Sequence, residues 1–195
     1  VEFHKLYGNE ITGYGCYGSS RLHHTTYLSL RDATNDATVV PWEWGWNYLH
    51  DNQAQNGIHN YDEDQTSGTG ERCGNLGGTL RIHHNVIVNQ AGAGIFVSSG
   101  CGWTNNTRIY NNVILNAGLP GDWDGIDPTD ADAANTAAIG VGNGDYTVYI
   151  HNNTVHTWNR DEILTDGSRG CISVFNRLDT VSMVVDDNVC FTPYD

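Results

Sequence analysis

One phrase recurs along this chain and restricts what it can fold into. Leu80-Arg-Ile-His-His-Asn-Val-Ile-Val-Asn89 returns as Thr107-Arg-Ile-Tyr-Asn-Asn-Val-Ile-Leu-Asn116, as Val148-Tyr-Ile-His-Asn-Asn-Thr-Val-His-Thr157 and, more loosely, as Met183-Val-Val-Asp-Asp-Asn-Val-Cys-Phe-Thr192. Fainter copies are Tyr48-Leu-His-Asp-Asn52 and Leu6-Tyr-Gly-Asn-Glu-Ile11. A second motif of the type small-Ile-x-Val follows three of the clear copies, at Gly94-Ile-Phe-Val97, Ala138-Ile-Gly-Val141 and Cys171-Ile-Ser-Val174, and Gly57-Ile-His-Asn60 closes an earlier unit. Self-similarity at such a period is the mark of a stacked repeat. Each unit reads as two or three short strands joined by tight turns.

Strands of three to five residues bury too little surface to offset their own ordering entropy. Stacking resolves this: if each unit is one rung of a coil, its strands pair in parallel with the rungs on either side, about 4.8 Å away, and the inward Ile, Val and Leu residues form a continuous column. The expected fold is all-β, a right-handed parallel β-helix (solenoid) with long inter-strand loops and an asparagine ladder. In that ladder Asn9, Asn52, Asn85, Asn112, Asn153 and Asn188 share one bend, each amide bonding the next. Their separations of 43, 33, 27, 41 and 35 residues exceed the roughly 20–30 of a compact rung. The surplus is assigned to loops at 14–46, 61–79, 117–135 and 158–170, the first of which has room for an extra rung around Thr26-Tyr-Leu-Ser-Leu30.

At 195 residues the chain makes one domain, 1–195, standing alone or as a module of a longer protein. Charged residues are 16% of the total and glycine supplies 23 positions, a profile of strands and turns rather than helices. The net charge of -14, with nine Lys plus Arg, excludes a broad electrostatic grip on nucleic acid or on an anionic membrane, and makes divalent cations the expected counter-charge. No run approaches the roughly 20 apolar residues of a membrane span. Cys16, Cys73, Cys101, Cys171 and Cys190 have no zinc-ribbon, thioredoxin-type or haem-attachment spacing. The sequons at Asn105 and Asn152 fit an extracellular setting, so the expected location is secreted or cell surface.

With I-x-N-N-x-I-x-N followed by G-I-x-V, the sequence resembles the right-handed parallel β-helix superfamily of pectin-lyase-like fold, over residues 47–192 well and 1–46 poorly. That resemblance implies a fold and leaves the activity open, because its members include polysaccharide lyases, glycoside hydrolases, epimerases, tailspikes, adhesins and structural stacks. It also directs attention to the outer face of one parallel sheet. Strand alternation puts Ile82, Ile109 and Ile150 inside, with Arg81, Arg108 and Tyr149 in one outward column and His83, Tyr110, His151 and Asp186 in another. Lyase chemistry needs a cation to neutralise a uronate carboxylate and a base to take the neighbouring proton, roles open to Arg81, His83, Arg108, Tyr110 and His151. The alternative is that the column is solvated surface.

Asp122, Asp124, Asp127, Asp130 and Asp132 crowd one glycine-bearing loop, an oxygen-rich set suited to calcium as well as to plain solvation. Asp124-Gly-Ile-Asp-Pro128 is similar to one polygalacturonase signature, but that family's Gly-Asp-Asp, Gly-His-Gly and Arg-Ile-Lys motifs are missing, which argues against its hydrolytic mechanism. Further acidic clusters, Tyr61-Asp-Glu-Asp64 and Asp161-Glu-Ile-Leu-Thr-Asp166, read as loop tips. Trp42, Trp44 and Trp46 alternate and would lie on one side of an extended segment, as a sugar-binding platform with Tyr149 or as a core or subunit contact. A bridge between Cys73 and Cys101 would clip adjacent rungs, and alignment with Ile87 and Val155 makes Cys190 an inward, buried free thiol. Two functions follow as expectations: a module that binds an acidic polysaccharide, with lyase or epimerase processing left open and calcium as helper, or a structural or adhesive element that self-associates into a fibre.

Overall fold

The structure, a computed structural model, describes residues 5–15, 24–28, 42–53, 55–62, 79–99, 106–118, 137–142, 147–156, 171–174 and 182–191. All regular elements among them are strands. The first rung holds β1 (Lys5–Tyr7), β2 (Glu10–Thr12) and β3 (Thr26–Leu28); the second holds β4 (Trp42–Gly45), β5 (Tyr48–Asn52) and β6 (Ile58–Asp62). β7 (Thr79–His83), β8 (Val86–Gln90) and β9 (Ile95–Ser99) make the third, and β10 (Asn106–Tyr110), β11 (Val113–Ala117) and β12 (Ile139–Val141) the fourth. The fifth contains β13 (Thr147–His151), β14 (Thr154–His156) and β15 (Ile172–Val174), and the sixth β16 (Ser182–Asp186) and β17 (Val189–Phe191).

Every third strand pairs in parallel, which gives sheets ordered β1-β4-β7-β10-β13-β16, β2-β5-β8-β11-β14-β17 and β3-β6-β9-β12-β15. The chain therefore visits the three sheets in turn and returns to the first, an arrangement compatible with a β-helix solenoid. The pairing joins like positions of the repeat: Ile109 lies between Ile82 and Ile150, Ile114 between Ile87 and Val155, and Ile139 between Ile95 and Ile172. These inward columns are the core, and Ile82, Ile87, Ile109, Ile114, Ile139 and Ile150 are fully buried. Each such side chain contributes roughly 1.5–3 kcal/mol relative to exposure.

The asparagine ladder runs through Asn9, Asn47, Asn85, Asn112, Asn153 and Asn188. At each step the backbone N–H and the side-chain amide both donate to the next rung's Oδ1, as Asn112 does to Asn153 at 3.0 and 2.9 Å. Asn112 also donates to the Ile82 and Tyr110 carbonyls, so the turn's backbone acceptors are satisfied where water cannot reach.

Asn52 does not belong to this ladder, contrary to the sequence expectation. It ends β5, beside Gln90 of β8, accepts from the Tyr14 N–H and donates to the Ile11 carbonyl. The reason is a shift in register. Tyr48-Leu-His-Asp-Asn52 matches the second half of the repeat, Val86–Gln90, rather than its first half.

The residue before each ladder asparagine has a left-handed backbone: Gly8, Trp46, His84, Asn111, Asn152 and Asp187, with φ between 50° and 64°. Only the glycine adopts it freely. For bulky Trp46 and His84 it costs about 1 kcal/mol or more, a local cost that stacking of the rungs must outweigh.

Two further expectations need correction. Thr26–Leu28 is the third strand of the first rung rather than an extra rung, since it pairs with Ile58–Asn60. Cys190 keeps its inward register beside Val155 but is exposed, because among the described residues no strand stacks beyond β17. Cys16, Cys73, Cys101, Asn105, the 119–136 segment with its five aspartates, and Asp161–Asp166 lie outside the described residues.

Candidate functional site on the outer face of the first sheet

The outer wall of the first sheet carries two side-by-side columns set by the strand register. One is Lys5, Glu43, Arg81, Arg108, Tyr149 and Val184; the other is Tyr7, Gly45, His83, Tyr110, His151 and Asp186. All five residues proposed from sequence for lyase chemistry, Arg81, His83, Arg108, Tyr110 and His151, thus share one face. Lys5, Tyr7, Glu43 and His84 join them without having been singled out. Glu43 escaped notice because it sits among the tryptophans of a poorly matching copy of the repeat, and only its pairing with Arg81 reveals its place.

Glu43 organises the lower half of this face. Its carboxylate is 3.0 Å from Lys5 Nζ and 3.3 Å from Arg81 Nη1, and it accepts a hydrogen bond from the Tyr7 hydroxyl. Although it points outward, Glu43 is buried. Such a carboxylate is tolerable in a partly dry site because two cations and a hydroxyl replace its water.

The second column is aromatic and continuous. His83 stacks on Tyr110 at 5.0 Å, and Tyr110 on His151 at 5.2 Å with the rings parallel within 1°. Rings stacked along the coil axis cover one another's faces and turn their edges outward. They can offer hydrogen bonds from a phenol hydroxyl and imidazole nitrogens, and they are poor platforms for a sugar ring. Beneath them, the rings close over Gly45 and leave no room for a side chain: a β-carbon there would lie 2.7 Å from His83 Cε1 and 2.8 Å from Tyr7 Cε1.

The three tryptophans do not form one platform. Trp42 and Trp44 do share a side, but it is the inward one, beside Leu80 and Ile82, and Trp44 is buried in the core. Trp46 has left β4 for the left-handed corner, where it is 56% exposed. There it stacks on His84 at 5.0 Å and meets Tyr7 and His83 edge-on. Strict alternation fails here because the strand ends at Gly45.

His83 itself is hidden under this aromatic cover, with its Nδ1 3.0 Å from that of His84. Burial, reinforced by the nearby His84, pushes its imidazole below the ordinary histidine value, so it is neutral at neutral pH. Higher up, Arg108 lies 5.4 Å over the Tyr149 ring, is exposed, and has no carboxylate partner among the described residues. Among the described residues the upper half of the face thus holds a guanidinium with no carboxylate partner beside a phenol and an imidazole, a combination able to receive an anion with hydroxyl groups.

Other titratable clusters lie elsewhere. His59 faces away from the core in the third sheet, contacts His24 at 2.9 Å, and is pushed down to about 2, first by burial and then by His24. His50 on β5 bridges Asp51 and Glu10, whose hydrogen bonds raise it. Among the described residues no group of three or more His, Cys, Asp or Glu side chains could hold a metal ion. Comparisons of this chain with protein-family models, with curated proteins and with solved structures returned no match.

Proposed function

We propose that this chain is a right-handed parallel β-helix module of the pectin-lyase-like type, secreted or at the cell surface, that binds an acidic polysaccharide on the outer face of its first sheet. The observation that carries this reading is Arg108, an exposed guanidinium with no carboxylate partner among the described residues, placed over Tyr149 and beside the Tyr110–His151 column. A uronate carboxylate would pair with the guanidinium as a fork, while sugar hydroxyls meet the outward edges of Tyr110 and His151. Lyase or epimerase processing would ask His151 or Tyr110 to take the proton next to that carboxylate, with Arg108 and Arg81 stabilising the enolate. Calcium, if used, would be held by Asp122, Asp124, Asp127, Asp130 and Asp132, whose spacing suits a hard cation with oxygen ligands.

The test is retention on immobilised polygalacturonate and alginate, with and without calcium, while unsaturated ends are followed by ultraviolet absorbance. Retention that Arg108→Ala abolishes supports the site, and new unsaturated ends would add catalysis to binding. Absence of retention on either polymer overturns it in favour of the second reading, a self-associating structural or adhesive stack. One observation favours that alternative: inward-register Val185 is 46% exposed on the sixth rung, with no strand covering it among the described residues. Sedimentation would then show concentration-dependent growth.

A further inference from the structure

Two adjacent columns of the core end in cysteine. One runs Gly57, Gly94, Ala138, Cys171, each position immediately preceding a strand of the third sheet; the other runs Leu49, Ile87, Ile114, Val155, Cys190 in the second sheet. The spacing between these columns can be read two rungs below the cysteines. A β-carbon placed on Gly94 would lie 2.8 Å from Cγ2 of Ile114 in the next rung. In a disulfide each β-carbon lies roughly 3 Å from the far sulfur, and a cysteine sulfur occupies the γ position that Cγ2 occupies in isoleucine. Gly94 and Ile114 become Ala138 and Val155 one rung later, and Cys171 and Cys190 one rung after that.

We propose that Cys171 and Cys190 form a disulfide that clips the sixth rung to the fifth. In this structure both are free thiols, Cys171 half-buried against the core and Cys190 exposed, and the two side chains are neighbours. Burial, with the neighbouring Cys190 side chain, pushes the Cys171 thiol up to about 12, and exposed Cys190 is the more accessible attacking group. The oxidant is a small-molecule disulfide. The Cys190 thiolate attacks one of its sulfurs and expels a thiolate; Cys171 then gives up its proton, attacks the Cys190 sulfur of the mixed disulfide and expels the second thiol. Two protein thiols are oxidised and one small disulfide is reduced to two thiols.

The bridge has a mechanical purpose. Of the sixth rung's inward-register residues Met183 packs against the core, but Val185 is 46% exposed and, among the described residues, no strand covers it. A covalent link would hold this rung against fraying.

The experiment is oxidation of the intact chain with oxidised glutathione, alkylation in denaturant, and tryptic mass mapping. Cleavage after Arg169 and Arg177 separates residues 170–177 from 178–195, one cysteine in each. The expected product is these two peptides joined, lighter by two hydrogens than their sum and released by reductant. Amide exchange across Ser182–Phe191 should slow by roughly tenfold or more in the oxidised form, and Cys171→Ser should abolish the slowing. The proposal is overturned if both peptides are recovered alkylated, if Cys190 retains glutathione, or if it is joined to Cys16, Cys73, Cys101 or a second Cys190.

Discussion

The lower and upper halves of the same sheet face are built from the same strands in the same register, yet their charges are handled in opposite ways. In the lower half Glu43 neutralises Lys5 and Arg81 and accepts from Tyr7, and Trp46 roofs His83. In the upper half Arg108 rests on the Tyr149 ring, and Tyr110 and His151 expose their edges. An incoming anion must compete with Glu43 for Arg81, whereas among the described residues it displaces no carboxylate from Arg108. Identical backbone geometry therefore carries a packed, charge-paired half and, among the described residues, a half whose guanidinium has no carboxylate partner, and the difference at Arg81 is the Glu43 carboxylate.

The largest effect should come from overfilling the lower half at Gly45. Gly45→Ala forces its methyl group into His83 and Tyr7 and should cost about 1–3 kcal/mol in urea unfolding, an overpacking cost. A wild-type midpoint would mean that this aromatic cluster is loose and that the contrast between the halves is weaker than drawn. Next, Arg108→Ala should weaken polygalacturonate binding about tenfold, near 1.4 kcal/mol, while Arg81→Ala changes it far less. Equal losses from the two variants would break the comparison. Because Arg108 is exposed, its removal should leave thermal stability within about 0.5 kcal/mol of wild type.

A smaller gain is expected from Glu43→Gln, which keeps an acceptor for Tyr7 but frees Arg81. Binding should tighten about threefold, roughly 0.6 kcal/mol, most visibly at low salt. Looser binding would show that Glu43 acts on the ligand directly. Smallest is the acid response of the lower half. The folded-state value of His83 is depressed, so its contribution is present above the unfolded value near 6.5 and is lost as pH falls below it, where the unfolded chain takes up the proton first. Melting temperature should fall from pH 7 to pH 5, and His83→Asn should flatten that slope; an unchanged slope would show that His83 titrates normally.

Much of the fold was legible because a solenoid repeats one local environment. Ile82, Ile109 and Ile150 announce their inward column, and Arg81, Arg108 and Tyr149 their outward one, since alternation along a strand is a local rule. Legibility ended at the second rung. There the left-handed corner is occupied by Trp46, which does not resemble the His84, Asn111 or Asn152 of the other corners, and Asn47 was passed over for Asn52. A left-handed position tolerates several residue types at modest cost, so it leaves no reliable mark in a sequence.

The sequence alone determined the repeat, the inward columns and the outward set that contains Arg108, Tyr110 and His151, because each follows from strand periodicity and from apolar side chains avoiding water. Only the tertiary structure decided that Glu43 lies between Lys5 and Arg81, that Trp42 and Trp44 belong to the core, and that Cys190 lies one rung beyond Cys171 in the neighbouring column. Those relations join residues on different rungs, and the loops that set the register between rungs vary in length with no rule that a strand can carry.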